Sequence, residues 1–335
     1  MKAIGYKKSL PIDDPQSLIE VDLPKPTAGP KDLLVMVKAI ALNPVDTKVR
    51  KRAEPAEGDV QVLGWDVAGV VAEVGTDVSM FKPGDEVWYA GAIDRPGANS
   101  EFHVVDERLV SKKPTSLSFS EAAALPLTSI TAWELLFDRL EIPKDDASKS
   151  ILIIGAAGGV GSIMVQLVKK LTKLKVIGTA SRQETKTWIE NLGVDHVLDH
   201  SKPLAEELEQ AGLGEVNYVA SLTQTDKHFE NIVACLKPQG KLALIDDPES
   251  LPINLLKKKS ISTHWEFMFT RSMFQTDDMS AQHQLLNEVA KLVDEGTIQT
   301  TANESLGTIS VENLKKGHAL LESGKSKGKI VLEGF

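Results

Sequence analysis

Ile153-Ile154-Gly155-Ala156-Ala157-Gly158-Gly159-Val160-Gly161-Ser162 is the stretch on which the fold turns. Residues 151–154 ahead of it are an apolar run of strand length. Ile163, Met164, Leu167, Val168 and Leu171 behind it recur at helical spacing. Ala156, Gly158 and Gly161 stand in the order A-x-G-x-x-G, a dinucleotide fingerprint with alanine in first place, and Gly159 and Val160 complete the turn. Glycines there let the backbone approach a pyrophosphate, while the N–H groups and dipole at the helix start favour its negative charge. A glycine pattern alone is weak. Between a strand and an amphipathic helix it becomes specific.

Toward the C-terminus the same rhythm repeats. Residues 176–180, 196–199, 216–222 and 242–246 read as strands, with a helix around Trp188 and Ile189 between the first two. Such alternation predicts an α/β fold with a parallel, doubly wound sheet. The first third reads differently. Short strands at 33–40, 68–74 and 86–89 are separated by turns at Gly75-Thr76-Asp77 and Lys82-Pro83-Gly84-Asp85, which suggests a compact, largely antiparallel unit. Ser118 and Glu121 open a helix that Pro126 closes, and Leu236-Lys237-Pro238-Gln239-Gly240-Lys241 carries a turn. Helices near 285–294 and 311–321 precede a closing strand at 329–332.

The end of the strand after the glycine turn selects the cofactor. An NAD enzyme places Asp or Glu there for the ribose 2′-hydroxyl. Here Lys175-Val176-Ile177-Gly178-Thr179-Ala180 runs into Ser181-Arg182, and a hydroxyl beside a guanidinium fork suits a 2′-phosphate. Arg182 could also be an ordinary exposed arginine, but NADPH is the better match, because the nearest acid, Glu184, falls in the following helix.

Composition removes other classes. Among 335 residues, Lys+Arg 38 against Asp+Glu 47 gives a net charge of −9, which argues against a nucleic-acid binder, since that would need a basic face. The uncharged stretch 151–168 has the length of a membrane span, but its glycines break it into strand, turn and helix. The single cysteine, Cys235, forms no disulfide within the chain, and the first residues lack a signal-peptide core. A cytoplasmic location is expected.

Several further stretches carry a family likeness. Residues 39–50 (Ala-Ile-Ala-Leu-Asn-Pro-Val-Asp-Thr-Lys-Val-Arg), 64–75 (Gly-Trp-Asp-Val-Ala-Gly-Val-Val-Ala-Glu-Val-Gly), Leu125-Pro126 with Ile130-Thr131-Ala132-Trp133, the glycine turn and 236–241 run in order along nearly the whole chain. Together they resemble the zinc-free quinone oxidoreductase and enone reductase branch of the medium-chain dehydrogenase/reductases. That resemblance implies a GroES-like, mainly β catalytic domain at 1–122 and 268–335. It also implies a Rossmann NADP-binding domain at 123–267, and a homodimer formed through residues 260–267.

It further implies site residues. Asn43 would lie by nicotinamide and substrate, with an amide able to donate. Lys48 would polarise the substrate oxygen or hold the cofactor ribose, unless it is a surface lysine at the rim. Thr131 is placed near the nicotinamide half, His200 against the adenosine phosphate, and Ser221 after the fourth parallel strand. Asp46 orders its loop through backbone hydrogen bonds, and Trp65 is either an aromatic wall or core. Zinc relatives need Cys and His ligands. Here the first cysteine position is Asn43 and the Gly-His-Glu position is Gly64-Trp65-Asp66, so no metal is expected. The expected activity is NADPH-dependent reduction of a small quinone or α,β-unsaturated carbonyl by hydride transfer. The alternatives are a zinc-dependent alcohol dehydrogenase and an NADPH-binding sensor without turnover.

Overall fold

The computed structural model describes all 335 residues. No helix is long and apolar enough to cross a membrane. The chain divides into two compact units, Met1–Ile130 with Phe269–Phe335 and Thr131–Met268, and passes between them after Ile130 and after Met268.

The first unit is mainly antiparallel. Strands β1 (Lys2–Tyr6), β2 (Ile19–Asp22) and β4 (Gln61–Val62) form a small sheet. The larger sheet runs β15 (Ala302–Ser305), β16 (Lys329–Glu333), β3 (Asp32–Leu42), β5 (Asp66–Val74), β6 (Glu86–Ala90), β8 (Val110–Lys112), and β7 (Phe102–Asp106) also pairs with β3. Leu33, Leu34, Val35, Ile40 and Leu42 are fully buried, because β3 is covered on both faces and so reads as a near-continuous apolar run. Register then does the positioning. Ile330 of β16 lies opposite Leu42, and Ala41 lies opposite Asp66 of β5. Residues 43, 66 and 329 therefore meet at one end of three adjacent strands.

The second unit holds β9 (Ser150–Ile154), β10 (Lys175–Thr179), β11 (His196–Leu198), β12 (Val216–Ser221), β13 (Leu236–Leu244) and β14 (Ser262–Trp265). All are parallel, in the order β11-β10-β9-β12-β13-β14. Counted along the chain this is 3-2-1-4-5-6, so the strand order reverses between β9 and β12. Leu152, Ile154, Val219, Leu242, Phe229 and Ile232 belong to one buried cluster. The expected α/β class holds.

Three details differ from or add to the reading of the sequence. The helix after the glycine turn already starts at Gly159, within the turn, because Gly158 is itself the extended cap residue (φ −72°, ψ 177°). The Lys237-Pro238-Gln239-Gly240 turn lies inside β13. Its residues loop out between the pairs Val216–Leu236 and Tyr218–Lys241, with Gln239 left-handed at φ 64°. After the helix Pro126–Trp133 the chain widens into a π-helical turn, Glu134–Arg139, which nothing local announces. The helix over Phe119–Ala123 has the expected reciprocal cap. Ser118 Oγ accepts from the Glu121 N–H, and Glu121 accepts from the Ser118 N–H at 2.9 Å.

Candidate active site

The glycine turn is built for close backbone approach. Gly155 sits at φ +82° and its N–H donates to Thr179 Oγ1 at 3.1 Å, tying β9 to β10. Gly161 is packed against the turn itself: a Cβ there would fall 2.4 Å from Gly155 O and 2.5 Å from Ala156 Cα. Gly158 offers no side chain to cap the helix Gly159–Leu171, so the first N–H groups of that helix are left for a ligand. The turn lies where the strand order reverses, the place at which such sheets bind dinucleotides.

Ser181, Arg182, His200 and Ser221, expected on the cofactor side, end or follow strands at the same carboxyl edge of the sheet. Ser181 is exposed beyond β10, and Arg182 caps the helix Gln183–Asn191, half-buried. The Arg182 guanidinium lies 3.0 Å from Glu184, the acid set aside in the sequence, so a phosphate would compete with that carboxylate for it. His200 follows β11 and meets His228 edge-on, ring centres 6.1 Å apart. Burial lowers the pKa of both imidazoles. Ser221 is fully buried at the end of β12, 2.7 Å from Thr225 Oγ1, and the Thr225 N–H donates to Asp246 at 2.8 Å. Thr131 is buried in the helix that opens this unit. Thr225 and Asp246 were not singled out from the sequence. A threonine and an aspartate 21 residues apart carry no local sign of pairing.

In the first unit Asn43, Asp46, Asp66 and Lys329 form one buried polar network. Lys329 Nζ donates to Leu42 O at 2.9 Å, to Asp66 Oδ2 at 2.8 Å and to Asn43 Oδ1. These are all three ammonium protons. Asn43 Nδ2 donates to Asp66 Oδ2 at 2.9 Å and to Ala41 O at 3.4 Å. The Leu127 N–H reaches Asp66 Oδ1 at 2.8 Å. Asp46 accepts from the N–H groups of Asn43 (2.7 Å) and Gly64 (3.0 Å), the backbone-ordering part expected of it. Burial pushes its carboxyl up to about 7 against those bonds and the Lys329 charge. Both amide hydrogens of Asn43 are thus spent inside the network, and the residue is 1% exposed, so here it holds the loop rather than offering a donor outward. Asn43 is the cap of the helix Pro44–Arg52, which carries Lys48, half-buried.

Trp65 is core: its indole N–H donates to Ala92 O at 3.1 Å and its ring meets Phe269 edge-on. Cys235 is buried at the end of its helix, and burial pushes its thiol up to about 12, the state of an inert packing residue. No three His, Cys, Asp or Glu side chains converge as metal ligands. Of the two carboxyl groups beside Asn43, Asp66 already holds an ammonium and Asp46 accepts the N–H groups of Asn43 and Gly64. Amide and carboxylate groups closed around a lysine, with no thiolate or imidazole among them, are not a donor set for zinc.

A parallel sheet of dinucleotide-binding type joined in one chain to a mainly antiparallel unit with a buried polar site is an architecture suited to an oxidoreductase. Two family models match the sequence: an alcohol dehydrogenase GroES-like domain over residues 29–115 and a zinc-binding dehydrogenase over 192–332. The chain belongs to the medium-chain dehydrogenase/reductase family. It is 40% identical to a zinc-type alcohol dehydrogenase-like protein of Staphylococcus epidermidis over 99% of both chains. A solved structure from Rhizobium etli CFN 42, provisionally designated a zinc-dependent alcohol dehydrogenase, is 55% identical with a TM-score of 0.97, covering 100% of this chain and 98% of that one. The quinone oxidoreductase of Pseudomonas syringae pv. tomato is 28% identical, with a TM-score of 0.84 over 99% of both chains.

Proposed function

We propose that this oxidoreductase takes NADPH and reduces a small quinone or another α,β-unsaturated carbonyl by hydride transfer, without zinc. The observation that carries the metal-free part is the Lys329 ammonium seated among Leu42 O, Asn43 and Asp66. A fixed cation fills the position, and the surrounding groups are all engaged. Likeness to a quinone oxidoreductase supports the acceptor class, and a quinone is itself a cyclic enone on both sides.

Bound NADPH supplies the hydride. The chain's part is to hold and to steady. The turn Ala156, Gly158, Gly159, Val160 and Gly161 cradles the pyrophosphate, and Ser181, Arg182 and His200 take the adenosine end. Thr131 and Ser221 stand on the nicotinamide side. Asn43, locked by Lys329 and Asp66, fixes the start of the helix from which Lys48 projects. Lys48 is assigned as the donor to the acceptor oxygen, where negative charge grows as hydride reaches the conjugated carbon. One proton from the medium completes the reduction.

NADPH consumption against quinones, enones, aldehydes and ketones, with metal analysis of the same sample, tests this reading. Turnover of quinones or enones by protein containing no zinc is expected. One zinc per chain with alcohol oxidation would identify the zinc-type enzyme instead. Tight NADPH binding with no turnover across the panel would point to a sensor.

Cofactor choice has its own test. Arg182→Ala should remove about 1.5–3 kcal/mol of charge-assisted hydrogen bonding, roughly ten- to a hundredfold in NADPH affinity, and leave NADH binding nearly unchanged. Equal rates with NADH and NADPH in the unaltered enzyme would remove the basis for the 2′-phosphate assignment. For assembly we propose a homodimer. β14 is an edge strand of its sheet and carries exposed Trp265, with Phe267 exposed just beyond it.

A further inference from the structure

Two buried carboxyl groups in the second unit take no part in the functions assigned so far. Glu134 is 1% exposed and Glu266 is 3% exposed. Glu134 begins the π-helical turn Glu134–Arg139, one helical turn after Thr131. Glu266 follows the last residue of β14, and its N–H donates to Leu244 O at 3.0 Å. Arg139, at the far end of the same π turn, brings Nε to 2.9 Å from Glu266 Oε2. The π turn packs on β14 through this contact.

Charge counting decides the state of the cluster. Two buried carboxylates against one half-buried guanidinium would leave an uncompensated negative charge out of water, which is costly. One proton kept between the two carboxyls removes that charge and supplies a hydrogen bond in its place. Burial, then the Glu134 carboxylate and its hydrogen bond, hold Glu266 well above the ordinary carboxylate range, with Arg139 opposing. The charges acting on Glu266 are those of Glu134 and Arg139. His264, two residues before Glu266, shares the Arg139 charge with Lys241 and Glu141, and burial lowers its pKa, so its imidazole is already neutral where the pair ionises.

Placement gives the pair a task. In a 3-2-1-4-5-6 sheet the two halves each hold one nucleotide, and β12, β13 and β14 are the second half. Glu266 stands at the carboxyl edge of that half. Glu134 belongs to the segment that carries Thr131, placed on the nicotinamide side. π turns are rare and recur at functional sites.

We propose that Glu134 and Glu266 are positioning residues: a carboxyl pair sharing one proton, which pins the Thr131 segment to the end of β14 and so shapes the nicotinamide half of the cofactor site. Loss of that proton leaves two like charges facing each other and loosens the segment. The folded pair binds a proton that the unfolded chain has already released. Its contribution is therefore complete in acid and is lost as pH rises past neutrality toward the point where the pair ionises.

The inference rests on the cofactor reading above, so the test includes measurements made without cofactor. Infrared absorption of the apoprotein at neutral pH should contain a protonated-carboxyl band that disappears in both Glu134→Gln and Glu266→Gln. Each amide keeps a hydrogen-bond donor in place and needs no shared proton. In the unaltered protein, melting temperature and NADPH affinity should both decline from neutral to alkaline pH, the affinity by at most roughly tenfold per pH unit. In Glu134→Gln that decline should largely vanish, whereas titrations of His200, His228 and Asp46 are common to both proteins and cancel. Glu266→Gln gives the same comparison should Glu134→Gln fold poorly. Absence of the band, or an alkaline decline equally steep in the Gln variants, overturns the proposal. Failure of NADPH to bind at all leaves the infrared and melting results standing and removes only the cofactor reading.

Discussion

Lys329→Met should destabilise the protein by about 3–5 kcal/mol, the usual cost of stripping one partner from a buried ion pair, and abolish most turnover. Methionine fills much the same space, so the loss is electrostatic rather than a cavity. Asp66 Oδ2 would keep only the Asn43 amide, inside a site where Asp66 is completely buried, and Leu42 O would lose its donor. The Asn43 amide would lose the group on its oxygen and with it a fixed orientation. Chemical denaturation of the unaltered and substituted proteins measures the first effect. The double variant Lys329→Met with Asp66→Asn discriminates the cause: with no carboxylate left to strand, a good part of the stability should return. A Lys329→Met protein as stable and active as the original would mean that the ammonium does not organise the site.

Gly161→Val has the second large expected effect, and comparison with Gly158→Ala makes it specific. A Cβ at residue 161 would sit 2.4 Å from Gly155 O and 2.5 Å from Ala156 Cα, and those are backbone atoms of the turn itself. They can yield only by opening the turn. Displacing a positioning element by about 1 Å can cost roughly a hundredfold, so NADPH titration should detect little or no binding, with a lower melting temperature. At residue 158 the same atom would lie 3.4 Å from Gly155 O, an ordinary contact, on a backbone at φ −72° that alanine accepts. Gly158→Ala should therefore fold normally and lose affinity only because a methyl group faces the pyrophosphate. Equal melting temperatures for the two variants would contradict this division between a packing glycine and a ligand-facing one.

Local pattern carried most of the architecture. The turn, the alternation behind it and the reciprocal cap at Ser118 and Glu121 are written in short windows, and the structure places them within a few residues of where they were read. Pattern fails where a residue's environment is made by distant chain. Lys329 opens a strand and reads as a solvated lysine, yet its partners lie 263 and 286 residues away. Glu134 reads as the polar face of a helix, and only β14 arriving beside it turns that face inward. The amide of Asn43 looked available to a substrate because its side-chain acceptor is not nearby in sequence. The competitor comes from β5. Ion pairs buried by tertiary pairing have no period, so no window contains them.

The same separation orders how the chain acquires its parts. All six strands of the parallel sheet lie between Asp66 and Lys329, so that unit has its complete complement of strands before the first unit does. β16 lies between β15 and β3, and until it is made the edge of β3 has no partner there. Through that interval the Asp66 carboxylate awaits its counter-charge, which favours an open, hydrated form of the half-built unit. A nascent or refolding chain would then complete its parallel sheet early and its antiparallel unit late, with an apolar strand edge exposed in between, the stage at which such chains aggregate or are held by chaperones.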